Sequence, residues 1–174
     1  DFLALKISYI NEIANFCEIV GADIEEVACG MGMDRRIGSN FLKAGIGYGG
    51  SCFPKDTKAL NFQSDHAGVK LKTVKATIDV NREQRTRLID KARRFFPTFR
   101  DVRVAIIGLT FKPGTDDLRE APAKQNIDIL LNEGADIIAW DPLGVENFRK
   151  RYPNCAINFA KDIDELSLIH ISEP

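Results

Sequence analysis

The apolar pattern of this chain changes at Pro97, and this change limits what the chain can fold into. Residues 71–96 contain neither glycine nor proline, and their apolar side chains recur at helical spacing, which predicts one long helix. Residues 102–107 instead form a run rich in valine and isoleucine that stops at Gly108, which is typical of a buried strand. We therefore predict an all-helical part followed by an α/β part.

Two shorter helices are predicted ahead of the long one. Gly21 ends the first, whose apolar residues recur at steps of four and three: Leu3, Ile7, Ile10, Ala14 and Cys17. Asp23 and Glu26 have the spacing of a capping box for a second helix that runs toward Cys29. We interpret Cys17 and Cys29 as core residues. The apolar face of the long helix is expected to comprise Leu71, Val74, Ile78, Leu88, Ala92 and Phe95.

The second part of the chain has the pattern of a strand, a helix and another strand. Helical spacing over residues 121–132 is followed by an apolar run at residues 137–140. Such a βαβ unit implies a parallel sheet with a right-handed crossover. A third strand over residues 156–159 and a helix capped by Asp162 complete the prediction.

The predicted fold class is therefore α/β overall. Residues 1–97 form an all-α domain with a long helix, and residues 98–165 form a truncated Rossmann-like parallel half-domain. Residues 166–174 are interpreted as a non-native tail without a biological function, because they look like the translation of a sequencing adapter.

Composition and charge exclude several classes of function. Of the 174 residues 44% are hydrophobic, enough for a packed core, and 24 basic against 25 acidic residues give a net charge of −1. This balance offers no basic surface to nucleic acid and no polybasic patch to a membrane. Four cysteines without a C-x-x-C pair and only two histidines give no zinc constellation. Unpaired cysteines, and the lack of a signal peptide or an apolar run of about 20 residues, predict a cytoplasmic protein.

One cysteine, Cys52, lies between a glycine-rich loop and a predicted helix start. Four glycines within six positions, residues 45–50, allow close approach of the backbone to a ligand, and Pro54 suits a first helical turn. The helix N-terminus and the nearby Lys55 both favour the thiolate form of the cysteine. A free cysteine is more often a small buried hydrophobe, and Asp56 could be only a first-turn acid. The combination of these features favours a nucleophile.

Three stretches of the chain carry a family resemblance. They are Gly30–Gly38, Phe41–Gly45 and the Gly49–Asp56 sequence Gly-Gly-Ser-Cys-Phe-Pro-Lys-Asp. Together they resemble the UDP-glucose/GDP-mannose dehydrogenase family, and most of all its UDP-glucose branch. The similarity extends from Phe2 to about Glu165. Because the GDP-mannose and UDP-N-acetylmannosamine branches share the Gly-Gly-x-Cys core, the sugar nucleotide rests on resemblance alone.

The resemblance implies an NAD-dependent oxidoreductase that converts UDP-glucose to UDP-glucuronate in two hydride transfers. Cys52 would carry the thiohemiacetal and the thioester, Asp56 would orient or activate water, and Lys55 would contact the cofactor NAD or favour the thiolate. The family also implies a homodimer through the helical domain. Its sugar-nucleotide site, partly made of backbone amides, maps onto Arg36, Phe41, Lys43, Gly45, Gly47, Tyr48 and Gly49.

The turn after the first predicted strand, Gly108–Gly114, does not match the dinucleotide fingerprint G-x-G-x-x-G. Ligands of parallel sheets bind at the carboxyl ends of the strands, which points to Phe111, Lys112 and the loop 116–119. From spacing alone, a polar turn with solvated charges is an equally good interpretation. The resemblance implies that Phe111 and Lys112 contact the sugar nucleotide and that Arg119 lies near the cofactor phosphates.

The resemblance also implies that parts of the enzyme lie outside this chain. In the family, an NAD-binding domain and a catalytic lysine and asparagine precede the position of Asp1, so we expect a fragment that does not turn over alone. Two other functions remain open. One is a cysteine hydrolase or acyltransferase that pairs Cys52 with His66. The other is a non-catalytic dimerisation or nucleotide-binding module.

Overall fold

The computed structural model describes residues 1–166, which divide into two compact units. The first unit is Asp1–Leu88 and the second begins at Ile89. The first is all-helical and the second contains a small parallel sheet, so the predicted combination of helices and a parallel sheet is confirmed. Residues 167–174, most of the stretch interpreted as a tail, lie outside the described residues.

Four helices build the first unit: α1 (Phe2–Val20), α2 (Ile24–Gly32), α3 (Cys52–His66) and α4 (Lys72–Gln84). Helix α1 packs against α4 and α2, and α3 packs against α4. As predicted, α1 ends at Gly21, whose left-handed φ of 74° favours glycine. Asp23 caps α2 by accepting the backbone N–H of Glu25 at 2.8 Å.

The long helix predicted over residues 71–96 is wrong, because α4 ends at Gln84. A turn at Arg85 and Thr86 separates it from a short helix α5 (Arg87–Ala92). The Thr86 hydroxyl donates to the carbonyl of Glu83 at 3.4 Å, a local bond of the kind that competes with helical ones. The absence of glycine and proline was therefore not enough to keep one helix continuous.

The packing face of the helices is more polar than predicted. Thr77, Asn81 and Gln84 are the buried residues of α4, and Ser8 of α1 donates its hydroxyl to the carbonyl of Thr77 at 2.8 Å. Buried hydrogen bonds between α1 and α4 thus replace part of the expected apolar contact. Three residues assigned to apolar faces are exposed instead: Leu3, Leu88 and Phe95.

The two cysteines interpreted as core residues have different environments. Cys17 on α1 is buried, as predicted. Cys29 on α2 is exposed, so its assignment to the core was wrong. The reason is that α2 contributes no buried residue at all, since this helix lies on the surface of its unit with a capped N-terminus.

The second unit is a three-stranded parallel sheet with helices on one face. Its order β1-β2-β3 comprises β1 (Arg103–Ile107), β2 (Asp136–Trp140) and β3 (Asn158–Phe159). Both pairings are parallel, which confirms the predicted βαβ unit. The connecting helices are α6 (Pro122–Asn132) and α7 (Val145–Arg151).

The core of the second unit lies between α6, α7 and one face of the sheet. Ile127, Ile137, Ala139 and Phe148 are almost completely buried there. On the other face, Ile107 at the end of β1 is 65% exposed. Asp162 accepts the N–H of Glu165 at 2.9 Å but caps a single 3-10 turn, Asp164–Leu166, rather than the predicted helix.

Candidate active site

Cys52 is the first residue of α3, and it is exposed. The structure thus places the thiol inside the first helical turn, one position further into the helix than predicted. Its sulfur lies 3.7 Å from the hydroxyl of Ser51, the residue that precedes the helix. First-turn N–H groups have no helical partners, so this end of α3 can donate hydrogen bonds to a bound anion. An accessible thiol at this position is suited to act as a nucleophile.

Lys55 and Asp56 follow Cys52 by three and four positions, which puts them on the same side of α3. The Lys55 ammonium lies 3.5 Å from the Asp56 carboxylate. Both side chains are more than half exposed, so their mutual attraction is weak and either can turn toward a ligand. The arrangement therefore offers a base and a cation beside the thiol.

An aromatic cluster supports the start of α3. The ring of Tyr48 meets that of Phe53 edge-on at 5.8 Å, and Phe53 meets Phe41 at 6.2 Å. Burial raises the pKa of Tyr48, although the Thr57 hydroxyl and the charge of Arg85 act in the opposite direction. Tyr48 is therefore neutral at physiological pH, and its ring packs against Phe53, the second residue of the helix.

The glycine segment, which we define as Gly45–Ser51, is held by carboxamide side chains. The N–H of Gly45 donates to Asn11 of α1 at 2.7 Å, and its carbonyl accepts from Gln84 of α4 at 2.7 Å. The N–H of Tyr48 donates to Asn81 at 2.7 Å. These two amides therefore already have partners within the chain and are not available to a ligand.

The sequence analysis did not identify these carboxamides as the residues that hold the glycine segment. A signal was present, since Thr77, Asn81 and Gln84 recur at the helical spacing of core residues. Polar residues at core spacing indicate a helix face that bonds to another backbone. The glycine segment is that backbone.

Arg36 and Lys43, two further predicted substrate-binding residues, are both exposed. The Arg36 guanidinium is largely exposed and forms two bonds with the carboxylate of Asp34, at 3.0 and 2.5 Å. This bond lowers the pKa of Asp34. Lys43 is exposed beside the buried Leu42. The Arg36–Asp34 pair does not involve Cys52, and the substrate roles of both cations stay predictions.

A Cys52–His66 pair within one chain is ruled out by geometry. The two residues are the first and the last of α3, so they lie about 21 Å apart at 1.5 Å per residue. His66 stacks on Phe62 instead, with ring centroids 6.5 Å apart. A cysteine hydrolase or acyltransferase would need these two side chains within hydrogen-bond distance of each other, so this function is not supported.

In the second unit, Asp141 organises the carboxyl ends of the strands. Its nearly buried carboxylate accepts the backbone N–H groups of Leu109 at 2.7 Å and Gly144 at 2.6 Å. It also accepts from Leu143 at 2.9 Å and from Thr110 at 3.3 Å. Burial alone would raise the pKa of Asp141, but these backbone bonds outweigh it, so the pKa lies below its ordinary value.

Phe111, Lys112 and Arg119 lie in the loops that follow β1. The N–H of Phe111 donates to the carbonyl of Asp117 at 3.1 Å, and the Lys112 ammonium lies 5.4 Å from the Phe111 ring centre. Arg119 forms a forked pair with Asp117, at 2.9 and 2.7 Å, which lowers the pKa of that carboxyl. The structure thus brings the three predicted residues to one loop cluster, where a phosphate would compete with Asp117 for Arg119.

Residues 1–166 do not form a dinucleotide cradle. The turn after β1 lacks the G-x-G-x-x-G glycines, and its Leu109 and Thr110 amides are directed at Asp141 rather than left for a pyrophosphate. Within residues 1–166 there is also no cluster of three or more metal-ligating side chains. No helix in this range has both the length and the apolar character needed to cross a bilayer.

Comparison with known families matches both units. Residues 1–83 match the central domain of the UDP-glucose/GDP-mannose dehydrogenase family, and residues 105–171 match its UDP binding domain. The chain therefore belongs to this family of nucleotide-sugar dehydrogenases, which confirms the resemblance seen in the sequence.

Individual members of the family are similar to this chain over most of its length. The UDP-glucose 6-dehydrogenase YwqF of Bacillus subtilis is 50% identical over 164 residues, which is 94% of this chain and 37% of that protein. A UDP-glucose dehydrogenase structure from Pyrobaculum islandicum matches with a TM-score of 0.90 and 34% identity, over 95% of this chain and 38% of that one. A GDP-mannose dehydrogenase from Pseudomonas aeruginosa matches with a TM-score of 0.64 and 26% identity, over 92% and 38%. The chain thus spans less than two-fifths of the length of these relatives.

Proposed function

We propose that this chain is part of an NAD-dependent UDP-glucose 6-dehydrogenase, which oxidises UDP-glucose to UDP-glucuronate. The observation that carries the proposal is the exposed thiol of Cys52 at the first residue of α3, next to a glycine segment held by buried carboxamides. The identity of 50% with a UDP-glucose 6-dehydrogenase supports the choice of sugar nucleotide.

Cys52 serves the second oxidation in this proposal. Its thiolate adds to the C6 aldehyde formed in the first oxidation, which gives a thiohemiacetal. NAD, when bound to the whole protein, accepts the hydride in each oxidation. Loss of the hydride and of the hydroxyl proton from the thiohemiacetal would leave a thioester, and attack by water would release the carboxylate and return the thiolate.

Lys55 and Asp56 assist the same chemistry. Asp56 accepts a proton from the water that attacks the thioester, for which its exposed carboxylate on the thiol side of α3 is suited. Lys55 stabilises the thiolate or contacts the cofactor. Arg36, Phe41, Lys43 and the glycine segment bind the sugar nucleotide, with Arg36 reaching the substrate of a neighbouring subunit.

The second unit binds the nucleotide portion. Phe111 and Lys112 contact the UDP-sugar, and Arg119 lies near the phosphates of the cofactor. The match of residues 105–171 to a UDP binding domain supports this assignment. The four cysteines are unpaired, which agrees with the cytoplasmic location that we propose.

The aldehyde intermediate gives a direct test that needs neither NAD nor turnover. We expect the 6-aldehyde of UDP-glucose to slow the alkylation of Cys52 by iodoacetamide in this chain, because the thiohemiacetal blocks the sulfur. Site-resolved mass spectrometry reads Cys52 and the exposed Cys29 in the same sample, and Cys29 is the internal control. Equal labelling of Cys52 with and without the aldehyde contradicts the proposed chemistry.

The same experiment distinguishes the other functions. Stronger protection by the 6-aldehyde of GDP-mannose would favour a GDP-mannose 6-dehydrogenase. Binding of UDP without protection by either aldehyde would favour a non-catalytic nucleotide-binding module. The chain alone is expected to produce no NADH from UDP-glucose, since the described residues form no dinucleotide cradle.

We also propose that the protein is a homodimer through its helical domain. The outer face of α1 carries large apolar side chains at seven-residue intervals, since Phe2, Tyr9 and Phe16 are 72%, 45% and 59% exposed. Such spacing forms a continuous stripe along one side of a helix, on which a second copy can pack.

Phe16→Glu is expected to convert the dimer to a monomer, because the carboxylate would be buried without a partner at the interface. Sedimentation velocity measures the change. Phe62→Glu is the matched control, since Phe62 is 72% exposed on α3. A dimer that survives Phe16→Glu, or one that is lost with Phe62→Glu alone, would place the contact elsewhere.

A further inference from the structure

Asn81 of α4 makes an unusual contact with the glycine segment. Its buried carboxamide accepts the N–H of Tyr48 at 2.7 Å and donates to the carbonyl of the same residue at 3.1 Å. One side chain therefore satisfies both backbone groups of Tyr48, as a neighbouring strand would. This pairing fixes both the position and the orientation of that peptide.

The segment cannot move along this contact. Gly47 has a left-handed φ of 90°, and a Cβ at that position would lie 2.7 Å from the Asn81 side-chain oxygen. The backbone at Gly47 thus lies directly against the Asn81 carboxamide. Arg85, one turn further along the chain, adds a third bond by donating to the Tyr48 carbonyl at 3.2 Å.

Two routes connect Tyr48 to Cys52. Along the chain, the buried Gly49 and Gly50 and then Ser51 lead directly into the first turn of α3. Through space, the Tyr48 ring packs edge-on against Phe53, the second residue of the helix, at 5.8 Å. Any displacement of Tyr48 therefore moves the helix start on which the thiol is mounted.

We propose that Asn81 is a positioning residue for Cys52, which fixes where α3 begins by holding Tyr48. The value of this role to the enzyme rests on the proposed function, in which Cys52 is the nucleophile. The contact itself does not depend on that function, so the two can fail separately.

The test compares two hydrogen-bond deletions in the same unit of the chain. Asn81→Ala removes the carboxamide, and Ser8→Ala removes the buried bond from Ser8 to the Thr77 carbonyl, which has no connection to the glycine segment. The readout is the rate of iodoacetamide labelling at neutral pH for Cys52, Cys29 and the buried Cys17, resolved by mass spectrometry.

With Asn81→Ala we expect the ratio of Cys52 to Cys29 labelling to fall by about two- to fivefold, the size expected when one hydrogen bond that holds the thiol's backbone in place is lost. Ser8→Ala is expected to leave this ratio unchanged even though it also weakens the unit. A ratio that is unchanged in Asn81→Ala, or one that falls equally in Ser8→Ala, overturns the proposal.

A second variant guards against loss of the fold. Fast labelling of the buried Cys17 in Asn81→Ala would show that this variant has unfolded. Asn81→Asp then takes its place, because it keeps the size of the side chain and the acceptor for the Tyr48 N–H. It loses the donor to the Tyr48 carbonyl and presents a carboxylate oxygen there instead. The same fall in the Cys52 to Cys29 ratio is expected, with Cys17 protected, and an unchanged ratio in that variant counts against the proposal.

Discussion

Asp141→Asn is expected to lower the free energy of unfolding of the second unit by about 3 kcal/mol, since several charge-assisted bonds are lost at once. The backbone groups of Leu109, Leu143 and Gly144 all donate to this carboxylate. An asparagine would present an N–H₂ group to at least one of these donors, which leaves a buried N–H without an acceptor. Denaturant unfolding followed by the fluorescence of Trp140, the only tryptophan, measures the change.

The sign of the pH dependence follows from the direction of the shift. The folded-state pKa of Asp141 lies below that of the unfolded chain, about 3.9. Its stabilising contribution is therefore complete above that value and is lost as the pH falls through the lower, folded-state pKa. The wild type should lose this increment in acid, whereas Asp141→Asn should lack it at every pH.

Asp136→Asn is the matched control for this prediction. The Asp136→Asn substitution removes the same charge from the opposite end of β2. There the Asp136 carboxylate pairs with Arg103 at 3.1 Å and is half exposed. An exposed pair of this kind contributes at most about 1 kcal/mol. If the two variants unfold at the same denaturant concentration, the Asp141 carboxylate does not organise the sheet edge as described.

Gly47→Ala is expected to destabilise the first unit by about 3 kcal/mol, which combines backbone strain with a steric clash. The φ of 90° at Gly47 is one that an alanine rarely adopts, and the new Cβ would lie 2.7 Å from the side-chain oxygen of Asn81 and 3.2 Å from its carbonyl. Because the second contact is with backbone, rotation of a side chain cannot relieve it. Cooperative unfolding followed by far-ultraviolet circular dichroism measures the loss.

Gly45→Ala provides the comparison within the same segment. A Cβ at Gly45 meets nothing within 4 Å, and its φ does not lie in the left-handed region. This variant should be within about 0.5 kcal/mol of the wild type, as is usual for exposed positions. A Gly47→Ala variant as stable as Gly45→Ala would mean that the segment is not held against Asn81.

The sequence predicted those features that depend on near neighbours. The end of α1 at Gly21, the cap at Asp23 and the start of α3 near Cys52 each depend on a few adjacent residues, and all three are found. The strands β1 and β2 were predicted for the same reason, since valine and isoleucine runs between turn residues need no tertiary information.

The features that the sequence did not predict depend on distant partners. Asn81 and Tyr48 are 33 positions apart, and no local pattern indicates which backbone a buried carboxamide will meet. The exposure of Cys29 was also not predicted, because the apolar character of α2 does not reveal that the helix lies on the surface. The role of Asp141 was not predicted, because two of its donors, Leu109 and Thr110, come from another strand connection.

The boundary between Leu88 and Ile89 has an evolutionary consequence. The thiol and its supporting carboxamides are encoded before it, and the match to a UDP binding domain is encoded after it. Substitutions after the boundary can therefore accumulate in one stretch of the gene without touching the residues that hold the Cys52 thiol in place, which are encoded in the other.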